Sequence, residues 1–174
     1  MAVFLENQTM FEQAINVYKH GFKSNTGCAG LTQYIDESGQ NEESGRDQDH
    51  SQLGISYLLT TAVTAWNQKV RDLFNYGNNR LSVGFEYTAK YNLGNEVSYH
   101  PYKTCGDGII HNPNGISAQT RSVFRPIYEM AHHFFALNNI SDPYVQEILE
   151  HNGYRPEGAD PNYDHPGLGT ITYY

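Results

Sequence analysis

The sequence predicts an all-α fold, and three observations carry that prediction. Apolar residues recur at three- and four-residue spacing in five segments, capping residues stand at the ends of several of them, and no run alternates apolar with polar residues as a half-buried strand would. No internal repeat or low-complexity tract interrupts the pattern.

The first helix is expected from about Gln8 to His20, with Thr9 and Glu12 as a capping box, Gly21 as its stop, and Met10, Phe11, Ala14, Ile15 and Tyr18 on a buried side. A polar, Gly-bearing segment from Gly21 to Gly45 reads as a long loop, a length often associated with function. From about Gln48 to Trp66 few polar residues follow Leu53, as expected of an inner helix covered on most sides. A helix around Arg80 to Asn92 has Asn residues at its start, Gly94 at its end, and Glu86 four residues before Lys90 as an ion-pair candidate. A second loop, Asn95 to Thr120, is rich in Gly, Pro, Asn and His. Helices from about Arg125 to Leu137 and Pro143 to Asn152 complete the set, with Pro143 well suited to a first helical position. Residues 153–174 read as an irregular Pro/Gly/Asp tail, and residues 1–174 as a single domain.

The 174 residues, 39% hydrophobic and 17% charged, suit a globular domain with a core rather than a disordered chain. A formal net charge of −8 argues against nucleic acid as a partner, because phosphate binding needs a basic surface. Fourteen Tyr and eight Phe suit either stacking on sugar rings or an aromatic core. Two cysteines, Cys28 and Cys105, form neither a disulfide framework nor a metal motif, and leave one bridge or two free thiols open. No apolar run approaches the length needed to cross a membrane. Asn7-Gln8-Thr9 and Asn139-Ile140-Ser141 match the glycosylation sequon, a short pattern that also arises by chance.

Chemistry concentrates between Gly45 and Asn95. Arg46-Asp47-Gln48-Asp49-His50 stands at the mouth of the inner helix, where charged and amide groups need partners or a ligand. On the next helix Arg80, Gly84, Tyr87 and Tyr91 share one stripe, a guanidinium and two phenols with a gap between them. Gly84 costs about 1 kcal/mol relative to Ala inside a helix, so something is expected to approach the backbone there, either substrate or a neighbouring helix.

Several blocks in this order resemble one family. Ser44-Gly45-Arg46-Asp47-Gln48, His50, Gln52-Leu53-Gly54, Ala65-Trp66-Asn67-Gln68, Asn79-Arg80-Leu81, Gly84 to Asn95, Phe124-Arg125-Pro126-Ile127-Tyr128-Glu129 and Arg155-Pro156-Glu157-Gly158 are similar to the C-terminal half of alginate-lyase-type polysaccharide lyases. The resemblance implies an incomplete (α/α) toroid of helical hairpins whose cleft binds a uronic-acid polymer and cleaves it by β-elimination. It also implies periplasmic or secreted localisation and further helices upstream. Since no signal peptide opens this chain and a helix begins almost at once, a C-terminal fragment is expected. The chain departs from the family pattern at Asp49, Ser51 and Ser98, where Gly, Thr and Pro are expected, and Gln48-Asp49-His50 replaces an Asn-His pair.

Elimination makes three demands. The substrate carboxylate must be neutralised before its α-proton becomes removable, a base must take that proton, and an acid must supply one to the leaving O4. The resemblance implies His50, Arg80 and Tyr87 as catalytic residues and Arg46, Gln48, Asn79 and Tyr91 as substrate-binding residues. Arg80, with Gln48 and His50 beside it, fits the neutraliser; Tyr87 fits the base, the acid or both, with a nearby cation such as Arg80 needed to favour its phenolate. Asp49 adds a negative charge near the expected polyanion site, so a locally positive cleft around Arg46, Arg80 and His50 is required. No metal or redox cofactor is called for, and an acidic polysaccharide is the expected partner. The alternative is a catalytically inactive carbohydrate-binding remnant. Arg46 and Asp47 are expected to pair and to position the following Gln and His. Adjacent on a helix, His132 and His133 should point apart. His100, His111, His151 and His165 fall in loops or at helix ends, with His111 and His165 as candidates for a supporting role.

Overall fold

The computed structural model describes residues 1–22, 29–105, 108–151, 157–158, 164–165 and 167–173. Among them the only regular elements are helices: α1 (Gln8–His20), α2 (Leu31–Tyr34), α3 (Gln48–Asn67), α4 (Tyr76–Asn92), α5 (Tyr128–Leu137), α6 (Pro143–Glu150) and α7 (Gly169–Tyr173). The all-α expectation therefore holds for the described residues. Two short helices were not expected: α2 lies inside the first long loop and α7 inside the tail. Four or five residues are too few for a periodic signal, and packing rather than propensity sustains them. Among the described residues no helix is long and apolar enough to cross a membrane.

α4 is the best-connected element, meeting α2, α3, α5 and α6, and α3 packs against both α4 and α1. The inner face of α3 contributes Ile55, Leu59, Ala62 and Ala65, all essentially inaccessible. Around its C-terminal half an aromatic cluster closes the core. Phe74 stacks on Phe134 at 5.4 Å, Trp66 meets both edge-on, and Phe85 bridges Phe135 and Tyr128. These rings are core, not sugar platforms.

The helix ends differ from expectation in instructive ways. Asn7, not Thr9, caps α1, its side chain accepting from the Met10 N–H, while Gly21 (φ 68°) stops the helix as expected. Of the five residues expected on the buried side of α1 only Tyr18 is buried, and Met10 is 39% exposed, because α1 packs chiefly on α2 and α3 and touches α4 at Tyr76. α5 starts at Tyr128 rather than near Arg125, since Pro126 biases the preceding residue away from helix and the Arg125 backbone N–H is taken by Gln52. Glu86 does not pair with Lys90; its carboxylate accepts the Tyr144 and Val145 N–H groups at the start of α6. That serves as a cap supplied from another helix, and burial of the carboxyl raises its pKa above the usual range.

Within α4 the regular helix begins at Arg80, because Gly77, Asn78 and Asn79 all have left-handed backbone (φ 62°, 60° and 58°). Asn tolerates that region better than most residues, which fits an Asn-Asn pair after Gly.

Two buried amides join α3 and α4 to the segment that leads into α5. Gln52 donates to the Gln48 and Val123 carbonyls and accepts from the Arg125 N–H and the Tyr128 hydroxyl. Asn92 donates to Gln48 Oε1 and the Thr88 carbonyl and accepts from the Ser122 N–H. All four hydrogen-bonding positions of the Gln52 amide are filled, so its loss strands several buried groups at once. Gln52→Ala is expected to lower stability by about 3 kcal/mol. Urea unfolding of the two proteins checks this, with a shifted midpoint at unchanged slope.

Candidate active site

The polar turn entering α3 is built on Asp47. This residue is the helix N-cap; one carboxylate oxygen accepts the His50 N–H at 2.7 Å and the other meets His50 Nδ1 at 2.7 Å. Asp47 is nearly buried, with 8% of its side chain accessible, while His50 keeps 36% of its own. The carboxylate thus orients the imidazole, directs a proton to Nδ1 and leaves Nε2 as the acceptor. Arg46 Nε lies 3.8 Å from Asp47 and its guanidinium 3.4 Å from Glu43, so the expected Arg46–Asp47 pair exists but is loose. The tight partner of Asp47 is His50. His111 stands at the edge of this group, 3.9 Å from Glu43.

Asp49 does not face the site as an uncompensated charge. Arg125, 4% accessible at its side chain, grips both Asp49 oxygens at 2.9 and 3.0 Å and also binds Asp164 at 2.9 Å. The concern raised by Asp49 is met by a cation some seventy-six residues further along the chain. His165, beside Asp164, reaches the Ser56 hydroxyl of α3 at 2.9 Å.

The Arg80 stripe of α4 is covered by the chain's own backbone. After α2 the chain makes a tight turn closed by a bridge between Ile35 and Asn41. Gly39 (φ 94°) sits so close that an added Cβ would fall 2.4 Å from the Val83 carbonyl and 2.7 Å from the Tyr87 Cβ. The group approaching Gly84 is the Ile35 side chain, 2.7 Å from where a Cβ would stand. The gap in the stripe is therefore filled by a neighbouring segment.

Each predicted residue can now be placed. Arg80 donates to the Ile35 carbonyl at 3.0 Å. Tyr87 is 7% exposed and donates to the Ser98 carbonyl at 2.7 Å. Burial, then Asp36, Tyr99 and Tyr91, hold its pKa well above that of a free phenol, and Arg80 does not offset them. The phenolate that a base role needs is thus disfavoured. Gln48 is buried, donating to the Ser117 carbonyl and accepting from Asn92. Tyr91 is buried beneath the Arg121 guanidinium, 3.9 Å above its ring. Asn79 gives its carbonyl to the Ser82 hydroxyl from the left-handed turn. No hydrogen bond or ion pair joins any two of Gln48, His50, Arg80 and Tyr87 among the described residues. Gln48 and Tyr91 are placed as supports of the site rather than as contacts to a ligand. Arg155 and Pro156 lie outside the described residues.

A small cleft of about 230 Å³ borders Tyr87, with Ser38, Lys90, Ser98 and Tyr144 on its walls. A larger cavity, about 920 Å³, lies between α1 and α3 against Val17, Phe22 and Leu58, away from all of these groups. Among the described residues no three His, Cys, Asp or Glu side chains are placed to hold a metal ion. His132 pairs with Asp142 at 2.8 Å while His133 meets the Tyr173 carbonyl, so the two do point apart. Cys105 is disulfide-bonded, which removes it as a free thiol; Cys28 lies outside the described residues.

Sequence reasoning missed Asp36, Tyr99 and Tyr102, and placed His100 as an ordinary loop residue. Asp36 carried a signal, an Asp two residues before Ser38 and three before a Gly, as in an Asx turn. Compared with protein-family models, with curated proteins and with solved structures, the chain matches none.

Tyr18, Tyr34, Tyr87 and Tyr128 all have pKa values raised mainly by burial. The folded state therefore holds these protons more tightly than the unfolded state. Their contribution to stability is complete below about pH 10, where unfolded tyrosine titrates, and is lost progressively above it. Chemical unfolding between pH 8 and 11 is expected to show stability falling from about pH 10 upward.

Proposed function

We propose that this chain is a polysaccharide lyase domain, part of an incomplete (α/α) toroid, that cleaves alginate or a related polyuronate by β-elimination. The observation that carries the proposal is the Asp47–His50 pair, a half-exposed imidazole oriented by a buried carboxylate at the mouth of an inner helix. It lies within one of the blocks that resemble alginate-lyase-type enzymes, the block in which Asp49 and Ser51 depart from the family pattern. Asp47 supports His50 as the base. Arg80 retains N–H groups beyond the one given to Ile35 and serves as the carboxylate neutraliser. Tyr87, kept protonated by its surroundings, serves as the acid once its hydroxyl turns from Ser98 to the leaving oxygen. The C5 proton passes to His50 Nε2, its electron pair forms the C4–C5 double bond, and the C4–O4 bond breaks with its pair on O4. O4 then takes the Tyr87 proton. Arg46, 43% accessible at its side chain, is a further cation for a neighbouring uronate. A polymer substrate of this kind places the reaction outside the cytoplasm.

A second reading is carbohydrate binding without turnover. It is favoured by the burial of Tyr87 and the commitment of its only proton to a backbone carbonyl.

Incubation with alginate, polyglucuronate and hyaluronan, followed by the ultraviolet band of the C4–C5 unsaturated uronate, tests both. Product is expected from at least one polymer, and His50→Gln is expected to lower the rate at least about 100-fold with the helical content unchanged. Oligosaccharide binding without any unsaturated product would move the conclusion to the second reading.

A further inference from the structure

His100 was expected to be an ordinary loop residue, yet its surroundings are built. Gln40, wholly buried, clamps the His100 backbone from both sides, donating to its carbonyl at 2.7 Å and accepting its N–H at 3.0 Å. Asp36 Oδ1 accepts the Ser38 N–H at 2.8 Å, the Ser38 hydroxyl at 2.7 Å and the Gln40 N–H at 3.1 Å. Its second oxygen, Oδ2, is buried and receives no hydrogen bond among the described residues, but lies 3.1 Å from His100 Nε2. A buried carboxylate oxygen left in that condition calls for an opposing charge, and an imidazolium supplies it.

The other side of the ring faces outward. His100 keeps 55% of its side chain accessible, and among the described residues no hydrogen bond or ion pair reaches its Nδ1. Tyr102 lies beside it, ring centres 6.0 Å apart, with its hydroxyl donated to the Gln33 carbonyl. Arg80 grips the Ile35 carbonyl, one residue before Asp36, and its charge acts on the Tyr102 phenol against those of Glu42 and Asp36. A guanidinium and an imidazole are thus fastened to neighbouring points of one turn, whose Asp36 carboxylate also acts on the Tyr87 phenol. Gln48, the amide expected to help Arg80, is occupied by Asn92 and Ser117.

We infer that His100 is a substrate-binding residue for the uronate carboxylate: its imidazolium, held by Asp36, donates from Nδ1 to that carboxylate alongside Arg80. The inference rests on the polyuronate reading, and deepens it by naming the group that selects an acidic sugar over a neutral one.

Calorimetric titration with a saturated oligoglucuronate at pH 6, in a His50→Gln background so that the ligand is not consumed, tests it. His100→Gln is expected to weaken binding at least about tenfold, as for loss of a hydrogen bond to a charged group, while a neutral gluco-oligosaccharide binds both proteins alike. Asp36→Asn, which keeps the turn's acceptor, is expected to weaken oligoglucuronate in the same direction. In the unsubstituted chain the His100 ring resonances are expected to move on adding oligoglucuronate, a readout that needs no variant. Equal affinity for the His100→Gln protein, or unmoved ring resonances in a protein that binds, would overturn the assignment. Binding through His100 without unsaturated product would instead overturn elimination and leave His100 standing. A folded chain that binds no oligouronate would overturn both.

Discussion

The polar N-terminal turn of α3 is buried, and much of the structure is arranged to satisfy it. Asp47, Gln48, Ser51 and Gln52 are each less than a tenth exposed, although they stand at the start of the longest helix of the fold. Leaving any one of them unpaired would cost about as much as a core cavity. Partners therefore converge from distant parts of the chain: Asn92 from α4, the Ser117 and Val123 carbonyls, and the Arg125 and Tyr128 groups at the approach to α5. The long second connection follows its course because it must deliver those carbonyls and N–H groups to α3.

That constraint also decides which polar residues remain for a ligand. Gln48 belongs to the internal network, and Asp49 is neutralised by Arg125. Arg46, His50, Arg80 and His100 each keep part of their side chain accessible. Within a chain of formal charge −8, several carboxylates are turned to internal duty. Asp47 holds His50, Glu86 caps α6, Asp142 holds His132 and Asp49 holds Arg125. Net charge is a poor guide to the field at a cleft when the negative groups are already paired.

The long helices were legible from periodicity and capping. α3 was expected from Gln48 to Trp66 and runs to Asn67, and α1 agrees at both ends. The cap of α1 was misplaced because Asn7 and Thr9 both suit that role, and only the Asn7 bond to Met10 decides between them. The Glu86–Lys90 spacing was right for an ion pair, but the open N–H groups of α6 are stronger claimants for a carboxylate. Gly84 correctly announced a close approach without revealing that Ile35 makes it. The cluster around Asp47 was found because its members are contiguous. Asp36 and His100 stand 64 residues apart, and nothing short of the folded chain brings them together.

The three left-handed residues before Arg80 set the phase of a helix. Gly77, Asn78 and Asn79 wind against the helix that follows, so the first regular turn starts at a definite rotation about its axis. Each residue of an α-helix advances that rotation by about 100°. One residue gained or lost within this turn would swing Arg80, Tyr87 and Tyr91 together away from the Ile35–Asn41 bridge, without altering a single side chain. Insertions and deletions here should therefore be far less tolerated than substitutions, although the segment lies partly on the surface.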